Sequence, residues 1–142
     1  MAGYSGTPLP KKLGIKEGHR VALVNAPADF GKTLGELPVD VELRTDPSRG
    51  QAFDVMVFFT TNLGELKKRF AALAKRLTPA GGLWIGWPKK ATGVPTDLTE
   101  DVIRVVGLDK GLVDNKVCAI DDTWSGLRFV VRLQDRPGRS AK

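Results

Sequence analysis

The stretch from Phe53 to Trp87 constrains this chain most. Phe53 to Thr60 is an apolar strand rich in Val and Phe, the pattern of a buried strand. Leu63, Leu66, Phe70, Leu73 and Leu77 follow at spacings of three and four and form one helical stripe. Asn62, three residues before Glu65, supplies a capping-box-like start. Lys67, Lys68, Lys75 and Arg76 lie mostly off the stripe, and Pro79 with Gly81-Gly82 closes the helix. Leu83 to Trp87 is again a strand. Strand, helix, strand in this order predicts a parallel pair joined by a right-handed crossover.

The remaining segments extend that unit. His19 to Ala26 is a compact apolar strand, Asp29 to Leu37 a short helix or turn closed by Pro38, and Val39 to Thr45 a strand of period two. Asp46 to Gly50 and Lys89 to Pro95 are loops. Asp97 and Glu100 repeat the capping spacing, with Leu98, Val102, Val105 and Val106 as the next apolar face. Asp114 to Ile120 and Gly126 to Leu133 read as a hairpin turned through Asp121-Asp122-Thr123-Trp124-Ser125. The expected fold is α/β, a small three-layer Rossmann-like sandwich with a mostly parallel sheet and a C-terminal antiparallel hairpin. Residues 1–18, rich in Gly, Pro and Lys, read as an N-terminal arm. Residues 19–134 form the single domain, and 135–142 a basic flexible tail.

Composition narrows the function classes. At 142 residues and 42% hydrophobic content, the chain can bury one real core. It has no apolar run of about 18 residues and no signal-peptide pattern, so a cytoplasmic protein without membrane contact is expected. One cysteine, Cys118, excludes an internal disulfide. With His19 as the only histidine, the usual zinc sites are excluded as well. The net charge of +6 makes nucleic acid a candidate partner, although the basic residues are dispersed.

Ala26 to Thr33 (Ala-Pro-Ala-Asp-Phe-Gly-Lys-Thr) follows an apolar strand and outlines a phosphate-cradling loop. Its chemistry argues against that role. Pro27 has no N–H to offer a phosphate, Asp29 brings a negative charge, and no acid follows the later strands to hold magnesium. Gly31-Lys32-Thr33 is expected as the exposed start of a short helix.

Two family resemblances follow. Phe53-Asp54-Val55-Met56-Val57-Phe58, then Leu77-Thr78-Pro79-Ala80-Gly81-Gly82-Leu83-Trp84-Ile85, resembles the later half of Rossmann-like class I methyltransferases, where an antiparallel hairpin also follows. The resemblance covers about two-thirds of the chain. It implies S-adenosylmethionine near the first strand, with Asp46 matching the acid that holds the cofactor ribose. The sequence departs from that pattern in having no glycine in Asn25-Ala26-Pro27-Ala28-Asp29-Phe30, and one strand–helix unit is missing. The second resemblance spans nearly the whole chain. Ala2-Gly3-Tyr4-Ser5-Gly6-Thr7-Pro8-Leu9, Lys12-Leu13-Gly14-Ile15-Lys16-Glu17-Gly18, Asn25-Ala26-Pro27, Trp87-Pro88-Lys89-Lys90 and Asp121-Asp122-Thr123-Trp124-Ser125 are similar to a family of small bacterial proteins known only as a domain of unknown function. It implies no activity.

In open α/β sheets, ligands bind beyond the carboxyl ends of the strands at the switch point. Those ends supply Asn25, Pro27 and Asp29, then Asp46, then Thr60, Thr61 and Asn62, then Trp87, Lys89 and Lys90. Asn62 opens a helix, the lysines can pair with an anion, and Trp87 can stack on a ring. His19 begins the first strand, at the opposite edge, so it cannot serve Ser125 or Cys118 as a base. Cys118 reads as a small core residue. No catalytic set emerges. The expectation is a non-catalytic binding or regulatory module without a cofactor, its cleft suited to a small anionic ligand or a protein partner. A reduced methyltransferase-like enzyme, using S-adenosylmethionine, is the alternative, and a basic nucleic-acid-associated protein the third reading. A nucleotide ligand has no supporting motif.

Overall fold

The computed structural model describes residues 7–136. A six-stranded sheet runs in the order β2-β1-β3-β4-β6-β5. Its strands are β1 (Arg20–Val24), β2 (Glu42–Arg44), β3 (Phe53–Phe59), β4 (Leu77–Pro88), β5 (Leu112–Ala119) and β6 (Trp124–Val131). The first four pair in parallel; β6 runs antiparallel to both β4 and β5. This is the expected Rossmann-like α/β fold with its terminal hairpin. The chain steps outward from β1 to β2, then returns to the other side of β1 as β3, so the switch point lies between β1 and β3.

Helices cover both faces. α3 (Leu63–Ala74) and α4 (Glu100–Asp109) bury Leu66, Phe70, Leu73, Ile103 and Val106 against Met56, Phe58, Ile85 and Phe129. Phe70 meets Phe129 edge-on at 5.2 Å, a pairing worth about 1 kcal/mol beyond area burial. On the other face, α1 (Leu9–Leu13) and α2 (Phe30–Leu34) pack with Val21, Leu23, Val57, Phe59 and Trp84. The strand parity that sets Trp84 and Trp87 on opposite faces is observed, and both are buried.

Several local expectations change. Within the expected arm over 1–18, residues 9–13 form α1, and Leu9, Leu13 and Ile15 enter the core. Gly14 ends this helix at φ +83°, a conformation glycine takes without steric cost. Residues 1–6 of that arm and 137–142 of the tail lie outside the described residues. β2 has only three residues because the chain first turns at Asp40, whose φ is +61°. β4 begins at Leu77, not Leu83. Phe53 pairs with Leu77 but Val55 pairs with Gly82, so Thr78 to Gly81 arch out as a bulge instead of a helix stop. Cys118 is half-buried on β5 rather than in the core. Val105 is exposed, and Ile103 takes its place on the buried face of α4.

The connection from β2 to β3 has no helix. Arg76, just past α3, holds this loop by donating to the carbonyls of Pro47 (2.7 Å), Gly50 (2.7 Å) and Arg49 (3.0 Å). One guanidinium thus satisfies carbonyls that a helix would otherwise have bonded internally.

Candidate functional site

The carboxyl ends of β1 and β3 meet at a hydrogen-bonded group centred on Glu65, in the first turn of α3. Thr60, 3% exposed, donates from Oγ1 to Glu65 Oε1 at 2.6 Å. Asn25 donates from Nδ2 to Glu65 Oε2 at 3.2 Å. Both carboxylate oxygens therefore bridge the switch point. Asn62 caps α3, its Oδ1 accepting from the Glu65 N–H at 2.8 Å, and its own N–H donates to Thr60 Oγ1 at 3.2 Å. Sequence reading took Glu65 only as a capping partner. Its residue type and position three after Asn62 were visible, but its reach to Asn25 depends on the β1–β3 pairing.

Asn25 has a φ of +59°. This left-handed conformation is one that Asn tolerates and that glycine normally supplies. The loop after β1 therefore makes its sharp exit without a glycine. Pro27 and Asp29 follow in the loop; Pro27 accepts through its carbonyl from Phe30 N, and Asp29 precedes α2 without a side-chain cap. Gly31 and Lys32 lie within α2 and are exposed, as expected for a helix start rather than a phosphate cradle.

Beyond β4, the exposed Lys90 opens a short 3-10 turn, while Lys89 is half-buried and its N–H bonds Thr123 O at 2.8 Å. Trp87 is core, 8% exposed, and also lines a cavity of about 520 Å³ with Pro88, Val94, Thr96, Asp97 and Leu98. This cavity is tied to α3 by two contacts. Asp97 Oδ1 accepts from Leu63 N at 2.8 Å, and Thr96 donates to Thr61 O at 2.7 Å. Asp97 thus stabilises the start of α3 instead of capping its own helix. Thr99 takes that cap, accepting from Val102 N at 3.2 Å.

Asp46 is separate. It accepts from Ser48 N (2.9 Å) and Ser48 Oγ (2.6 Å) and faces Arg49 at 3.5 Å. These bonds, with Arg49 and Arg76 assisting, hold its carboxyl below the usual range. Among the described residues, no hydrogen bond or ion pair joins Asp46 to the Glu65 group. The structure therefore gathers Asn25, Thr60, Thr61 and Asn62 with Glu65, and sets Trp87, Lys89 and Lys90 beside them around β4.

The same architecture occurs in solved methyltransferases. A Sulfolobus solfataricus protein assigned to the type 11 methyltransferases superposes with a TM-score of 0.61 at 16% identity, over 95% of this chain and 96% of its own. A SAM-dependent methyltransferase from Aquifex aeolicus gives 0.59 at 20% identity, over 89% of each chain. Magnesium protoporphyrin IX methyltransferase from Synechocystis with bound SAM gives 0.54 at 12% identity, over 87% of this chain and 74% of its own. At these identities the likeness establishes the fold. No protein-family model and no curated protein matches the chain. The likenesses correct two expectations, a non-catalytic module as the leading reading and the absence of a cofactor. One of these neighbours is a SAM-dependent methyltransferase and another holds SAM.

No helix among the described residues is long and apolar enough to cross a membrane.

Proposed function

We propose that this chain is a reduced, methyltransferase-like protein that binds S-adenosylmethionine at the carboxyl ends of β1 and β3. The observation that carries the reading is Glu65. Its carboxylate sits at the switch point, spans both strand ends, and is held by a buried threonine. The residues present fit the cofactor's chemistry. A carboxylate can accept from ribose hydroxyls or an ammonium group, and charge-assisted bonds of this kind are the stronger ones. The left-handed Asn25 gives the β1 loop the exit that glycine gives elsewhere. When bound, S-adenosylmethionine supplies an electrophilic methyl group on a sulfonium.

The chain's own residues would then divide the work. Asn25 and Glu65 would hold the cofactor, while Thr60 fixes the Glu65 carboxylate from below. The cavity over Trp87, Val94, Pro95 and Leu98 would take the methyl acceptor, since its lining is mainly apolar with Thr96, Asp97 and Glu100 at hand. Asp46 plays no part in this assignment, because its carboxylate is committed to its own loop.

Titration calorimetry with S-adenosylhomocysteine tests the reading. Saturable binding near micromolar affinity, about −8 kcal/mol, is expected. Glu65→Gln should weaken it about tenfold, the equivalent of ~1.4 kcal/mol. No binding at about 1 mM ligand, where even −4 kcal/mol would register, contradicts the reading.

A further inference from the structure

The opposite end of the parallel strands carries a second cavity. A cavity of about 420 Å³ opens at the amino ends of the parallel strands, beneath the turn that follows α1. Lys12, Lys16, Lys116 and Arg128 line it, with His19, Thr78 and Asn115, against one carboxylate, Asp54. Among the described residues, none of the four cations makes a salt bridge there. Asp54 is already engaged, accepting from Arg20 N at 2.9 Å and Thr78 Oγ1 at 3.4 Å.

Arg128 is the central residue. It is half-buried on β6, paired across the sheet with Trp84, and among the described residues its guanidinium hydrogen-bonds to the amide oxygen of Asn115 alone, at 3.3 Å. Burial, then repulsion from Arg136, pushes its pKa below the usual value. Among the described residues this half-buried guanidinium has no carboxylate hydrogen-bonded to it, so an anion in the cleft would supply its counter-charge. Gly82 makes room for it. A Cβ at Gly82 would clash with Arg128 Nε and lie 2.7 Å from Cζ, so the guanidinium lies flat across the glycine of the neighbouring strand.

The other donors are arranged around it. Lys116 Nζ donates to Lys12 O at 3.0 Å, and Lys12 Nζ to Ala119 O at 3.2 Å. Each ammonium has three protons, so each keeps two for a ligand. His19 accepts at Nδ1 from Lys16 N at 3.1 Å, which leaves its neutral-form proton on Nε2. The carbonyls at the end of α1, which would repel an anion, are occupied. Pro10, Lys11, Lys12 and Leu13 accept from Ile15 N, Gly14 N, Lys116 Nζ and Trp84 Nε1.

We propose that this cleft binds the phosphate groups of a small phosphorylated molecule, with Arg128 and Lys116 as the principal contacts. The site is independent of the cofactor edge, on the far side of the sheet from Glu65. Calorimetry with inorganic pyrophosphate, at physiological ionic strength and against sulfate, tests it. Saturable one-to-one binding is expected, at least about tenfold weaker in Arg128→Gln. Gly82→Ala should weaken it similarly, because it keeps every charge and only displaces the guanidinium. Lys116→Gln, at an exposed position, supplies a variant whose fold is not in question. S-adenosylhomocysteine binding should be unchanged in all three, so failure here and failure of the cofactor reading are separate results. Equal pyrophosphate affinity in wild type and variants overturns the proposal, as does no saturable binding. Tighter binding of a short single-stranded oligonucleotide, lost in Arg128→Gln, overturns it in favour of nucleic acid.

Discussion

The two edges of one sheet solve opposite electrostatic problems. At the carboxyl edge, Glu65 is held by neutral donors, a buried hydroxyl and an amide, with no cation among the described residues hydrogen-bonded to it. At the amino edge, Arg128 is half-buried beside a glycine and an amide oxygen, with no carboxylate among the described residues hydrogen-bonded to it. Among the described residues, neither charge is ion-paired with an opposite charge of the protein. Structural ion pairs elsewhere look different: Arg20 and Arg44 converge on Glu42, and Arg104 on Glu100, Asp101 and Asp114. Those charges are neutralised within the fold and serve it. The difference teaches where an external ligand has something to complete.

The sharpest break of this comparison is a crossed pair of variants. Glu65→Gln should lower affinity for S-adenosylhomocysteine about tenfold and leave pyrophosphate binding alone, while Arg128→Gln should do the reverse. Calorimetry of both proteins with both ligands reads this directly. If either variant weakens both ligands equally, the edges are coupled and are not two sites.

The next effect is on stability. Thr60 is the buried polar anchor of the carboxyl edge, and Thr60→Val strands Glu65 Oε1 and the Asn62 N–H without their partner. A loss of about 1–3 kcal/mol is expected. Thermal unfolding should show a Tm lowered by roughly 3–10 °C. The matched change at the amino edge, Lys116→Gln, removes an exposed contact and should stay within about 0.5 kcal/mol. A larger loss at Lys116 than at Thr60 would mean that the cationic cleft is built for folding instead of binding.

Much of the fold was legible because β3 and the second half of β4 are apolar runs and α3 between them carries one helical period. Phe53 to Thr60 and the stripe from Leu63 to Leu73 admit few other arrangements, while Leu77, expected on that stripe, opens β4. α1 was not legible, since Pro8, Pro10 and Gly14 around it are residues that also make linkers. The core contacts of Leu9, Leu13 and Ile15 decide the outcome there. The start of β4 was misplaced because Pro79 and Gly81-Gly82 signal a stop in any local reading. A bulge accommodates them instead, closed by pairing with β3. The carboxyl-edge residues Asn25, Thr60 and Asn62 followed from the position of strand ends alone. Glu65 and Arg128 did not, because each acquires its meaning from a partner strand distant in sequence.

Asp97 tests how far the α3 terminus supports the site. Its carboxylate does from outside the helix what a capping residue does from within, accepting from Leu63 N. Asp97→Ala should therefore cost about 1 kcal/mol, as the loss of a cap does. Urea denaturation measures it. Thr99→Ala, which removes the cap of α4, gives the reference value. An Asp97 effect well below the Thr99 effect would detach the 520 Å³ cavity from α3 and weaken its assignment as the acceptor side.

The smallest predicted effect gives a reporter for the amino edge. Burial raises the Cys118 thiol above its ordinary value, while Lys12 and Lys116 pull it down. Both lysines line the proposed phosphate cleft. An anion bound there cancels their field, so pyrophosphate should raise the thiol further. Alkylation rate against pH reads the shift. Lys116→Gln should raise the thiol without ligand and blunt the response to pyrophosphate. The stability consequence has a definite sign. A thiol that keeps its proton longer when folded contributes fully below its unfolded pKa. That contribution is lost as pH rises through the folded value, so pyrophosphate should leave the thiol's contribution unchanged at neutral pH and alter it only in the alkaline range. A Cys118 profile indifferent to pyrophosphate, in a protein that binds it, would place the anion away from Lys12 and Lys116.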